Sequence, residues 1–180
     1  MYVTKNGEDT LYTVSSTKAA CFEQTKADLF GAFNPAGLTN SDIQAVSYTL
    51  SDGETVTLKA NSELTASSDS EADSGTEYQT VWRLAEDPAA DLDETKVNSI
   101  LSALSSYVSA QDTGADPAAC GFNDPLVTEE VTTADGTVTL TYTMGTDGCY
   151  LMVEGDSAVY TVDSSVLSAL LMSAEDLLAS

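Results

Sequence analysis

The segment Tyr150-Leu-Met-Val-Glu-Gly-Asp-Ser-Ala-Val-Tyr-Thr-Val-Asp-Ser164 restates, 148 positions on, the opening Tyr2-Val-Thr-Lys-Asn-Gly-Glu-Asp-Thr-Leu-Tyr-Thr-Val-Ser-Ser16. Tyr2/Tyr150, Gly7/Gly155, Tyr12/Tyr160, Thr13/Thr161 and Val14/Val162 are identical, and the likeness runs without a gap to Asp28/Asp176 and Leu29/Leu177. Two short runs about a Gly-containing turn predict a hairpin, and the apolar spacing behind them predicts a helix. A gapless repetition of this kind reads as one structural unit used twice. The expected organisation is the C-terminal part of a preceding copy with its linker (residues 1–38), then a complete copy (residues 41–180). Gly31 to Asn40 reads as the linker. Residues 1–30 lack most of their own copy's core, so they are expected to dock on the complete copy or to pair with another chain's edge strand.

Within the complete copy, Val46, Tyr48 and Leu50 alternate up to the turn Ser51-Asp-Gly-Glu54, and Val56 and Leu58 return. Ala60 to Thr76 is rich in Ser, Asp and Glu and reads as a surface loop. Tyr78, Thr80, Trp82 and Leu84 form a third strand. Asp91-Leu-Asp-Glu94 opens a helix with Asp91 as the expected N-cap, and its stripe is Val97, Ile100, Leu101, Leu104 and Val108, ended by Gly114 and Pro117. Gly121-Phe-Asn-Asp-Pro125 is turn-like. A hairpin about Ala134-Asp-Gly136 follows, then the 150–162 hairpin. The closing helix, capped by Asp163 or Ser164, carries Val166, Leu167, Leu170, Leu171, Leu177 and Leu178. The expected fold class is α+β: an antiparallel sheet of hairpins with two main helices packed on it, plus an N-terminal hairpin and helix from the partial copy.

Five pieces of this copy, in this order and spacing, are similar to a known family. They are Trp82-x-Leu84, Asp93-x-x-Lys-Val-Asn98, Leu101-Ser-Ala-Leu104, Gly121-Phe-x-Asp-Pro125 and Glu154-Gly-Asp-Ser-Ala-Val-Tyr-Thr-Val-Asp163. Together they resemble the bacterial domain-of-unknown-function family 4340. The resemblance covers residues 41–180 as a whole domain and 1–30 as the tail of a preceding copy. It implies an α+β domain, often repeated, anchored or secreted at the bacterial envelope, with some relatives linked to auxiliary proteins of ABC transporters. It implies no catalytic residues. Cys120 and Cys149 stand where the resemblance makes Tyr more usual, which leaves a local disulfide open.

Composition narrows the function. The chain has 180 residues, 29 acidic, 6 basic and no histidine, for a net charge of −23. Nucleic acid and anionic membrane surfaces are poor partners, since both need clustered Lys or Arg. Without histidine there is no Ser-His-Asp or Cys-His catalysis and no His-ligated metal. No run of about 18 apolar residues is present, so no transmembrane segment is expected. Ser and Thr make up about a quarter of the chain. That bias, together with the acidity, points outside the cytoplasm. Cys21, Cys120 and Cys149 are too few and too dispersed for a zinc site, and three pairings are open.

The candidate sites are correspondingly few. Trp82 and Tyr78 are candidate ligand-binding residues, as an aromatic platform for a glycan or peptide, although aromatics on strands also serve simply as packing. Asp91, Asp93 and Glu94 are candidate metal ligands, with Asp116 and Asp124 as a looser alternative. Asp69-Ser-Glu-Ala-Asp73 begins like an EF-hand loop but has Ser74 for the needed Gly and Thr80 for the closing Glu. Phosphate-cradling glycine loops are absent. No catalytic residue and no cofactor is expected.

The sequence thus favours a non-enzymatic, extracytoplasmic repeat module for protein interaction or assembly at the bacterial cell envelope, its partner a protein or a neighbouring repeat. The alternative is a small-ligand or cation-binding accessory domain of an envelope transporter system. A hydrolase would need a buried acid inside a cleft.

Overall fold

The computed structural model describes residues 2–4, 11–13, 15, 33–64, 78–106, 108, 110–112 and 114–179. The strands are β1 (Tyr2–Thr4), β2 (Leu11–Thr13), β3 (Ile43–Leu50), β4 (Thr55–Leu64), β5 (Tyr78–Leu84), β6 (Ala110–Asp112), β7 (Val127–Thr133), β8 (Gly136–Met144), β9 (Cys149–Val153) and β10 (Val159–Val162), of which β6 has no counterpart in the sequence expectations. The helices are α1 (Glu94–Leu104) and α2 (Ser164–Leu170), and a 3-10 turn spans Asn40–Asp42. Strands β3 to β10 form one antiparallel sheet in the order β5-β4-β3-β7-β8-β9-β10-β6. With both helices packed into its core, the domain is α+β.

The internal repetition is visible in the pairing. In β1–β2, Tyr2 faces Thr13 and Val3 faces Tyr12. In β9–β10, Tyr150 faces Thr161 and Leu151 faces Tyr160. These are the corresponding positions of the two sequence copies, so both hairpins close in the same register. β1 and β2 form a two-stranded sheet of their own. The helix expected behind them, and Cys21, lie outside the described residues.

One face of the large sheet is apolar and the other is hydroxyl-rich. Across its centre, Val56, Tyr48, Glu129, Leu140 and Val153 form one row on the buried face, flanked by Leu58, Val46 and Val131 on one side and Val127, Tyr142, Leu151 and Tyr160 on the other. Val97, Ile100, Leu101 and Leu104 of α1 and Leu167 and Leu170 of α2 close this core. On the opposite face Ser47 bonds Thr57 and Thr49 bonds Thr55, each at 3.0 Å, and Thr139 donates to Glu154 at 2.6 Å. Much of the Ser/Thr bias is therefore spent on strand positions that face away from the core, where β-branched Thr suits the pleat.

Turn chemistry follows the residues. Gly53 takes φ +91° between β3 and β4, a conformation that disfavours any side chain. Gly121 (φ +97°) also lies so close to β8 that a Cβ would meet Met144 O at 3.1 Å.

Several sequence expectations need correction. Strand β4 continues through Ala60 to Leu64, where a loop was expected, because Ala60–Leu64 pairs with Tyr78–Trp82. A cross-strand partner overrides polar composition. Helix α1 stops at Leu104, and Val108 instead pairs in extended backbone with Phe33. Asp93, not Asp91, caps α1, its carboxylate accepting from the amides of Thr95 and Lys96. Of the two caps expected for α2, Asp163 is the one used, accepting from Ser165 N. Helix α2 ends at Leu170. Leu177 is buried beyond a following turn, and Leu178 bridges back to Leu92.

Residues 33–38, read as linker, are bound into the domain. Phe33 and Val108 exchange two backbone bonds, at 3.1 and 2.8 Å. The Phe33 ring meets Tyr160 edge-on at 5.7 Å, and Leu38 is buried in the core. Cys120 and Cys149 are free thiols, so the disulfide that the resemblance left open is not formed between them.

Candidate functional site

A groove of about 660 Å³ runs beside β5. Its walls are residues 79–83 of that strand, Glu63 of β4, Asn40, Ser41 and Ile43 below, and Asp91, Leu92, Glu94, Val97, Asn98 and Leu101 from α1 and its approach. The groove exists because β5 is the edge of the sheet and α1 begins only after the nine-residue return from Leu84, which leaves the strand's flank uncovered among the described residues.

The outer edge of β5 is itself a chemical feature. Ala85 N donates to Thr57 O at 2.8 Å, and Leu58 stands opposite Leu84. Antiparallel pairs alternate between bonded and unbonded positions. Ala85, Arg83, Val81 and Gln79 therefore bond inward to β4. Leu84, Trp82, Thr80 and Tyr78 direct their N–H and C=O groups away from the sheet, and no described strand pairs with them.

Arg83 anchors the groove's electrostatics. Its guanidinium grips Glu63 with two bonds of 3.1 Å, from Nε and Nη2, and Nη1 lies 3.5 Å from Asp91. That contact holds the Glu63 carboxyl below the usual carboxylate range and raises Arg83. Three carboxylates and one guanidinium line the groove; with Arg83 committed to Glu63, Asp91 and Glu94 carry the surplus negative charge.

The candidate residues from the sequence separate here. Trp82 is half-buried, packs against the core and lines the groove. Tyr78 lies on the same strand face but four residues away, about 13 Å at strand spacing, outside the groove and 65% exposed opposite Leu64, itself 63% exposed. The two aromatics do not make one platform. Asp91 and Glu94 line the groove, whereas Asp93 is occupied as the cap of α1. Among the described residues no three Cys, Asp or Glu side chains gather as metal ligands. Asp116 accepts from Ala118 N and organises the following turn.

Sequence reasoning missed Glu129. It alternates correctly with Val127 and Val131, which put it on the core face, but a Glu-Glu pair in a Thr-rich strand signals nothing by itself. In the structure it is fully buried, and neither carboxyl oxygen has a hydrogen-bond partner among the described residues. Desolvation pushes its pKa well above the usual range. It sits in the packed sheet–helix core, away from the groove, and so does not place an acid in that cleft.

Among the described residues no helix is long and apolar enough to cross a membrane. No curated protein and no solved structure matches the chain. The family described as Domain of unknown function (DUF4340) matches twice, over residues 1–125 and 82–180. The two matches overlap across residues 82–125. On this coverage, the protein is a member of the DUF4340 family.

Proposed function

We propose that this chain is a non-enzymatic interaction module of the bacterial cell envelope, working outside the cytoplasm, that receives an extended segment of a partner protein as an added strand on β5. The observation that carries the reading is the outward backbone of Tyr78, Thr80, Trp82 and Leu84, which borders a groove and, among the described residues, no further strand. Strand addition supplies affinity from main-chain bonds and selectivity from the side-chain pockets alongside. Recurring copies would multiply weak single contacts through avidity. The acidic, hydroxyl-rich composition supports a place outside the cytoplasm.

The test uses a neutral strand-forming peptide of alternating Gln and Val. Trp82 is the chain's only tryptophan, so its fluorescence reports on the groove. Binding should protect the Thr80 and Trp82 amides from exchange. Thr80→Pro removes an outward N–H without touching the ladder and should abolish binding while the fold persists. Equal binding by wild type and Thr80→Pro would rule strand addition out.

The groove's size favours a second reading, a small-ligand accessory domain of an envelope transporter, because about 660 Å³ lies in the range of small-molecule pockets. A thermal-unfolding screen against divalent ions and envelope sugars separates the two. A ligand present at about 100 times its Kd stabilises by about 2.7 kcal/mol.

A further inference from the structure

We infer that the segment received along β5 is basic, with a Lys or Arg side chain seated between the Trp82 indole and the carboxylates of Asp91 and Glu94. The inference rests on the strand-addition reading and names its partner's chemistry. Arg83 binds Glu63 side-on through Nε and Nη2 and reaches Asp91 only with Nη1, at 3.5 Å, so one guanidinium faces three carboxylates and the groove keeps a surplus of negative charge. Asp91 and Glu94 stand exposed on the wall opposite the strand's flank. A metal ion suits the groove less, since the neighbouring Asp93 accepts from the Thr95 and Lys96 amides and, among the described residues, no three Cys, Asp or Glu side chains converge.

An extended segment suits the spacing better. Its side chains alternate every two residues, so one face would present cations to the acids while its backbone bonds to Thr80 and Trp82. The indole adds a cation–π surface. The chain's charge of −23 draws a basic partner in from a distance but gives it no address. The groove supplies the address.

The test compares alternating Lys-Val and Gln-Val peptides of equal length on the full 180-residue chain, by Trp82 fluorescence at low and physiological salt. The Lys peptide should bind about tenfold more tightly at low salt, as two exposed charge pairs allow. Asp91→Asn/Glu94→Gln should erase that preference. Asp135→Asn/Asp147→Asn, the same charge change on two distant turns, should keep it. If the Gln peptide binds as well as the Lys peptide, or the groove variant keeps the preference, the basic partner is wrong and strand addition stands. If neither peptide binds, strand addition itself falls, and this inference with it.

Discussion

Glu129 stands directly opposite Tyr48 across the β3–β7 ladder, a carboxyl without a hydrogen-bond partner among the described residues beside a phenol that has one. The Tyr48 hydroxyl donates to Met172 O at 2.7 Å and so ties the segment after α2 to the centre of the sheet. Burial, then the charges of Glu129, Glu54 and Asp176, pushes Tyr48 above its ordinary range. The same acid also raises Tyr142 after burial. Burial thus shifts all three groups towards their neutral forms in the folded core.

Glu129 makes stability fall as pH rises. Its folded pKa is raised, so the unfolded chain gives up this proton first, and stability drops from the ordinary carboxylate range up to the folded pKa. Each pH unit in that window removes about 1.4 kcal/mol. Glu129→Gln removes the titration, so its Tm minus that of wild type should grow from pH 4 towards pH 7. A pH-independent difference between the two proteins would falsify this. Using the difference cancels the opposite trend from Asp156, Asp163 and Asp176, whose lowered values give stability that is lost as pH falls.

Tyr48→Phe deletes the bond to Met172 O and leaves the ring's packing intact. The expected cost is about 1 kcal/mol, with faster amide exchange concentrated in residues 171–179. Exchange that rises evenly over the whole domain would mean that the bond is no tether.

Phe33 and Leu38 belong to the domain's core although the sequence places them in a linker. Phe33→Ala should cost about 2 kcal/mol through the lost edge contact with Tyr160 and the exposed half-buried ring. Deleting residues 1–38 should lower Tm further. An unchanged Tm and oligomeric state after the deletion would show that these residues contribute nothing to folding or assembly.

Asp93→Ala should destabilise by about 1 kcal/mol through two uncapped amides of α1. Asp91→Ala should stay within about 0.5 kcal/mol, since its contact with Arg83 is solvent-exposed. Urea midpoints of the two variants decide between them, and a larger loss at Asp91 would reassign the cap.

Local patterns carried most of the elements. The alternation of Val46, Tyr48 and Leu50, the Gly53 turn and the stripe Val97, Ile100, Leu101 and Leu104 were all readable, because backbone periodicity and turn sterics act within a few residues. Ala60–Leu64 was not, because a polar strand is held by its partner and not by its own composition. Val108, on the helical stripe, left the helix because Phe33, 75 positions earlier, offered it extended pairing.

The groove was legible only in fragments: Trp82, Asp91 and Glu94 were singled out, but not their assembly with Glu63 and Arg83 along one edge. Glu129 gave no signal at all, since its burial depends on neighbours from β3 and β8.

By itself the sequence determined the α+β class, the repeated hairpin and the family, all set by local spacing and turn chemistry. Only the tertiary structure decided that β5 is an edge, that Asp93 is spent on a cap while Asp91 and Glu94 face a groove, and that one carboxyl is sealed in the core. Strand order, burial and charge pairing come from contacts between distant residues, and no local pattern encodes them.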